Sequence, residues 1–122
     1  MILVDTSVWI DHLHTVERRL VERLELDAVG CHPLVIEELA LGSIAGRDIV
    51  LDLLGNLTQF PTAQHAEIRH FVERRQLWGR GLSAVDVHLM AAVVMVEGAK
   101  LWTRDKRLKA ASSDAGVPLF GE

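Results

Sequence analysis

Five short apolar runs, at residues 2–4, 28–31, 57–60, 100–103 and 117–120, recur along this chain with helical patterns between them. Runs of this length and apolarity belong in a sheet that is buried on both faces. In "TVERRLVERLEL", Val16, Leu20, Val21 and Leu24 share one face, and Thr15 is placed to cap its start. "PLVIEELALG" opens with Pro33 in a first turn and stops at Gly42. "RDIVLDLLGN" follows, then "AQHAEIRHFVERRQLWG", closed by Gly79. "SAVDVHLMAAVVMVEG" is apolar nearly all round and ends at Gly98, the pattern of a central packed helix. The alternation predicts an α/β fold: a central, mostly parallel sheet with helices on both faces. At 122 residues, with no repeat, linker or low-complexity segment, the chain reads as a single domain over 1–122.

In such sheets ligands bind beyond the carboxyl ends of the strands. There the opening "MILVDTSVWID" places Asp5, a charge that is costly to bury without a partner. Three more acids are equally awkward. Taking Leu34 as zero on its helix, Glu38 falls at about 40° and Glu37 at about 300°, so Glu38 shares the apolar face and Glu37 faces solvent. Asp86 lies in the most apolar helix, one turn from Met90, and Asp105 comes two residues after the strand "KLWT". Each has a plainer use. Asp5 could cap the next helix, Ser83 and Asp86 have capping-box spacing, Asp105 suits an N-cap, and Glu38 could pair with an arginine. Four such coincidences at one end of a sheet are less economical than one site. Clustered carboxylates repel unless a cation neutralises them. An all-oxygen ligand set selects Mg²⁺ or Mn²⁺, ions that serve phosphate chemistry.

"ILVDTSVWID", "VIEELALG", "LSAVDVHLMAA" and "LWTRDKRL" resemble, in order and spacing, the four acidic motifs of PIN-domain ribonucleases. The short single-domain form is similar to VapC-type toxins of toxin–antitoxin pairs, and the resemblance covers essentially the whole chain. It implies a three-layer α/β/α sandwich and a Mg²⁺- or Mn²⁺-dependent endoribonuclease acting on RNA. It implies a catalytic quartet of Asp5, Glu38, Asp86 and Asp105. Asp5, Asp86 and Asp105 would ligate the metal, with Thr6, Ser7 and Thr103 as supporting hydroxyls. It further implies a cognate VapB-like antitoxin, and an assembly in which a homodimer joins that antitoxin as a hetero-oligomer. Leu108, where many members carry an aromatic residue, and Met90, where alanine is common, depart from the pattern in packing positions.

Other readings are weaker. A net charge of −4 disfavours a generic nucleic-acid coat but leaves room for local basic clusters such as Arg104, Lys106, Arg107 and Lys109. Of these, Arg104 and Lys106 could reach RNA phosphates, although ordinary surface charge is the simpler use. Asp5 follows Met1 too closely for a signal peptide, the single Cys31 forms no internal disulfide, and the longest apolar run is far too short for a membrane span. A cytoplasmic protein without a membrane partner is therefore expected. His12 and His14 point about 200° apart on a helix, and Cys31–His32 lacks the second pair that a zinc site needs. His88 suits a core or interface position, and Trp9, Trp78 and Trp102 read as packing or interface anchors, not as base-stacking platforms. A receiver-like signalling domain would want paired acids after the first strand and a lysine after the last, and neither is present. A non-catalytic interaction module on the same fold is the remaining alternative.

Overall fold

The computed structural model describes residues 1–122. β1 (Ile2–Val4) lies inside a four-stranded parallel sheet with β2 (Val29–Cys31), β3 (Thr58–Gln59) and β4 (Lys100–Trp102), in the order β3-β2-β1-β4. Ile2 is in register with Val29 on one side and with Lys100 on the other. Leu3, Val4, Leu101 and Trp102 are fully buried, as the two-sided apolar runs require. The ladder goes on past β3, where the Phe60 N–H donates to the Cys31 carbonyl at 2.7 Å. Gly30 permits this pairing, since a Cβ there would stand 2.5 Å from the Phe60 ring and 2.9 Å from the Thr58 carbonyl.

The fifth expected strand is reduced to one parallel bridge, Leu101 to Leu119. Leu101 donates to the Pro118 carbonyl and receives from Phe120, both at 2.8 Å. Pro118 has no N–H with which to lengthen the ladder.

The connections from β1 to β2 and from β2 to β3 carry α1 (Thr6–His14), α2 (Arg18–Glu25), α3 (Pro33–Ala40) and α4 (Arg47–Gly55). The chain then crosses back to β4 through α5 (His65–Arg75) and α6 (Ala84–Met95), and α7 (Lys106–Asp114) follows. Right-handed crossovers put the first four helices on one face of the sheet and the last three on the other. Packing agrees, with α3 against α1 and α4, and α6 against α5 and β4. The result is the expected α/β/α sandwich. α6 is the central helix foreseen, burying Val87, Leu89, Met90, Ala91, Ala92 and Val93.

Helix ends differ in detail. Thr15 closes α1 instead of opening α2, which starts after Glu17, so Val16 falls between helices and is exposed. α5 ends at Gln76, which takes the left-handed conformation (φ 55°) expected of glycine, before Gly79 is reached. α6 stops at Met95, short of Gly98.

Candidate active site

Strand order reverses between β1 and β4, because the chain runs outward from β1 through β2 to β3 and then returns to β1's other side. The carboxyl ends of β1 and β4 flank that switch point, the usual ligand position in such sheets. Asp5 follows β1 and Thr103 follows β4. Asp5 is 6 % exposed. It is the N-cap residue of α1, yet its carboxylate makes no capping bond. Its Oδ2 instead receives the hydroxyls of Ser7 and Thr103, each at 2.7 Å. Ser7 Oγ in turn accepts from the Arg104 N–H, and Thr103 Oγ1 from the Asp105 N–H, both at 3.1 Å. Each hydroxyl is thus oriented as a donor to Asp5 by the backbone that opens α7.

Asp86 forms the capping box that its spacing suggested: its N–H donates to Ser83 Oγ at 3.1 Å, and its Oδ2 accepts the Ser83 N–H at 2.9 Å. The capping role and the site role coexist. Burial pushes the Asp86 carboxyl above the ordinary carboxylate range, the Ser83 bonds oppose this, and the charges of Asp5 and Asp105 raise it further. Those charges bring three of the four acids into one electrostatic neighbourhood. Asp105 caps α7, its Oδ1 accepting the Leu108 N–H at 3.0 Å. Glu38 departs from expectation. It is exposed, because Val35 and Leu39 form the buried stripe of α3 and leave it on the flank. Thr6 Oγ1 donates to its Oε1 at 2.7 Å, which ties it to the residue after Asp5.

A common pattern emerges. Each of the four carboxylates uses one oxygen in a protein hydrogen bond and leaves its other oxygen without a protein partner. None of the four is in an ion pair. They do not form a closed cage, since no three carboxylate, imidazole or thiol groups converge at ligand distance. Caps on Asp86 and Asp105 hold those side chains against their own helices. A buried carboxyl beside one that burial and neighbouring charge push up, with no Lys or Arg paired to either, is nevertheless a donor set that suits a hard divalent ion.

Arg104 has a role that its position beside the site did not reveal. Nη1 donates to Asp11 Oδ2 at 2.7 Å and to Glu17 Oε1 at 2.9 Å, while Nε donates to Glu122 Oε1 at 2.6 Å. Glu122 also receives the Trp102 indole N–H at 2.7 Å. Three of the five guanidinium N–H donors are thus committed to carboxylates, and Nη2 makes no protein hydrogen bond. His32 was missed as well. It is the N-cap of α3, buried, with Nδ1 accepting from Leu34 N–H at 3.0 Å. A polar side chain directly before Pro33 at a helix start was the available signal. Burial, with His88 beside it, holds the His32 ring below the usual imidazole range. Trp9 and Trp102 are buried as expected, but Trp78 is 62 % exposed and is not a packing residue.

A parallel sheet with an acidic centre at its switch point defines a class, and comparison with known proteins agrees. The PIN domain model matches residues 2–113. The chain belongs to the PIN-domain family. Within that family it is of the VapC type: Ribonuclease VapC32 of Mycobacterium tuberculosis strain H37Rv is 65% identical over 122 residues, covering 100% of this chain and 98% of that protein. The same figures hold for Ribonuclease VapC32 of strain CDC 1551 / Oshkosh. The crystal structure of PAE2754 from Pyrobaculum aerophilum matches with a TM-score of 0.60 at 20% identity, covering 90% of this chain and 84% of that one. At that identity the likeness shows the fold alone. No helix is long and apolar enough to cross a membrane.

Proposed function

We propose that this protein is a Mg²⁺- or Mn²⁺-dependent endoribonuclease, the toxin of a toxin–antitoxin pair held in check by a cognate VapB-like antitoxin. The observation that carries this reading is the buried Asp5 carboxylate at the switch point, paired with no Lys or Arg and oriented by two hydroxyls beside an Asp86 whose pKa is raised. The full-length likeness to proteins named ribonucleases supports it.

In this reading Asp5, Asp86 and Asp105 would hold the ion, and Glu38 would complete its shell or orient the attacking water. A hard divalent cation bound there stabilises charge on the phosphate and lowers the pKa of water, effects worth several kcal/mol. Ser7 and Thr103 keep the Asp5 carboxylate from turning away, and Thr6 does the same for Glu38. Water attacks phosphorus in line and the 3′-oxygen leaves, so the products carry 5′-phosphate and 3′-hydroxyl ends.

A metal-free mechanism using two histidines would need free imidazoles at the cleft. Two of the six histidines are tied by the backbone: His12 Nδ1 accepts the Glu17 N–H at 3.1 Å, and His32 Nδ1 accepts the Leu34 N–H at 3.0 Å. One substrate separates the two mechanisms: an RNA cut by this protein, remade with a single 2′-deoxy nucleotide 5′ to the scissile bond. It should still be cleaved in Mg²⁺ or Mn²⁺, not in EDTA, and Asp5→Asn should cleave neither version. Full protection by the deoxy substitution, together with cyclic-phosphate ends and indifference to EDTA, would overturn the acidic-site assignment.

A further inference from the structure

The segment between α5 and α6 exposes an indole, and at its Gly81 it meets an unpaired guanidinium that lies two residues beyond Asp105. We propose that Trp78 and Arg107 form a nucleotide subsite, with Trp78 stacking on one base of single-stranded RNA and Arg107 holding an adjacent phosphate. The proposal rests on the endoribonuclease reading and names residues that would position its substrate.

Leu77 is buried and anchors the segment, whereas Trp78 beside it is 62 % exposed. Gly79 and Gly81 both take positive φ, 73° and 74°, which sets the path of the loop. The far end of the loop is Ser83, the cap of the helix that carries Asp86. Arg107 approaches from the other side. A Cβ on Gly81 would stand 2.8 Å from Arg107 Nη1 and 3.0 Å from its Cδ, so the missing side chain leaves the space in which that arginine lies. Arg107 is two residues beyond Asp105, is exposed, and is in no ion pair. Two other arginines nearby are engaged: Arg80 pairs with Asp114 at 2.8 Å, and Arg104 with three carboxylates. A cleft of about 250 Å³ is lined by Ile68, Val72, Leu77, Trp78, Leu82 and Ser83. That is below the roughly 300–1,000 Å³ of pockets for drug-sized ligands, a size that suits one base.

The chemistry selects the occupant. An exposed indole offers a π-face to any base, and such stacking is tolerant of sequence. Bases in a duplex have both faces covered, so the partner is single-stranded. A free guanidinium beside a centre for phosphodiester chemistry complements a phosphate and not a carboxylate-poor apolar helix.

The test combines binding and turnover with a short single-stranded RNA of mixed sequence. In EDTA, binding of the end-labelled RNA is read by anisotropy, and quenching of indole emission by the unlabelled RNA reports on Trp78. Trp78→Ala should weaken binding by about 5- to 150-fold, the range for one stacked base, and abolish most of the quenching. Trp78→Phe should retain most of the affinity, and Arg107→Ala should reduce the salt dependence by about one phosphate contact. In Mg²⁺, both alanine variants should raise KM with little change in kcat, while melting as the wild type does. Wild-type KM, binding and quenching in Trp78→Ala would overturn the subsite alone. So would intact RNA binding with lost self-association or antitoxin binding, which would make Trp78 a protein contact. A wild-type protein that neither binds nor cuts RNA would remove the endoribonuclease reading as well.

Discussion

Asp86 carries two roles that pull in opposite directions. As the N3 residue of a capping box it stabilises the start of α6, yet burial and the charges of Asp5 and Asp105 disfavour its ionised form. A carboxyl whose pKa is raised by folding lowers stability once ionised. The cost is absent below the unfolded value, about 3.9, and grows as pH rises through the folded one. Asn keeps an amide oxygen to accept the Ser83 N–H but carries no charge. In EDTA at pH 7, Asp86→Asn should therefore melt higher than the wild type by a few degrees, the scale on which about 1 kcal/mol registers in a domain of this size. The difference should shrink in acid. Mg²⁺ should raise the melting temperature of the wild type and leave that of the variant nearly unchanged. Melting curves below the wild type at both pH values would show that the cap outweighs the repulsion.

At the scale of elements, α1 and α2 present an apolar groove against α4. Trp9, Leu13, Leu24, Val50, Leu53 and Leu57 line a cleft of about 230 Å³. Leu53 is 62 % exposed and Leu13 is at the margin of exposure, so the groove is apolar surface in contact with water. A segment of the proposed antitoxin laid across α1 near Trp9 and Leu13 would cover it. Trp9 is itself core, which makes its truncation a poor probe. Leu53→Glu and Leu13→Glu, one charge each on the groove wall, should weaken antitoxin binding at least about tenfold, or about 1.4 kcal/mol, with cleavage by the free toxin unchanged. Equal antitoxin affinity in calorimetry for both variants and the wild type would place the partner elsewhere.

For the molecule as a whole, Arg104 ties together distant parts of the chain. Its partners lie in α1 (Asp11), in the turn into α2 (Glu17) and beyond the final bridge (Glu122), while its N–H holds Ser7 at the site. Without the guanidinium three carboxylates are left facing one another. Arg104→Ala should cost about 1–2 kcal/mol at neutral pH, within the range of ordinary destabilising substitutions. Arg104→Lys should recover part of this, because it restores the charge without the planar fork. The Arg104 hydrogen bond holds the Glu17 carboxyl below its usual range. That contribution is present above the unfolded carboxylate value and is lost as pH falls through the folded one. Denaturation midpoints of wild type and Arg104→Ala should therefore converge in acid, and a gap independent of pH would rule out the ionic origin.

Much of this protein was legible along the chain because the relevant physics is local. Period and run length marked strands and helices, and the alternation of the two dictated a parallel sheet with ligands at its carboxyl edge. Asp5, Asp86 and Asp105 stood out because each sits where a local rule makes a charge expensive or makes it a cap. Even the capping boxes were within reach, since they span three residues. What the chain alone left open depends on which distant segments meet. Thr103 reaches Asp5 across 98 residues, and Arg104 reaches Glu17 across 87 and Asp11 across 93, pairings that no periodicity encodes. Glu38 looked buried on a helical wheel, but the wheel does not say how much of an apolar face the sheet covers. Trp78 read as a packing or interface anchor, the common uses of tryptophan. Only the packed loop, with Leu77 turned inward and Gly79 and Gly81 setting its path, decided that the indole faces water.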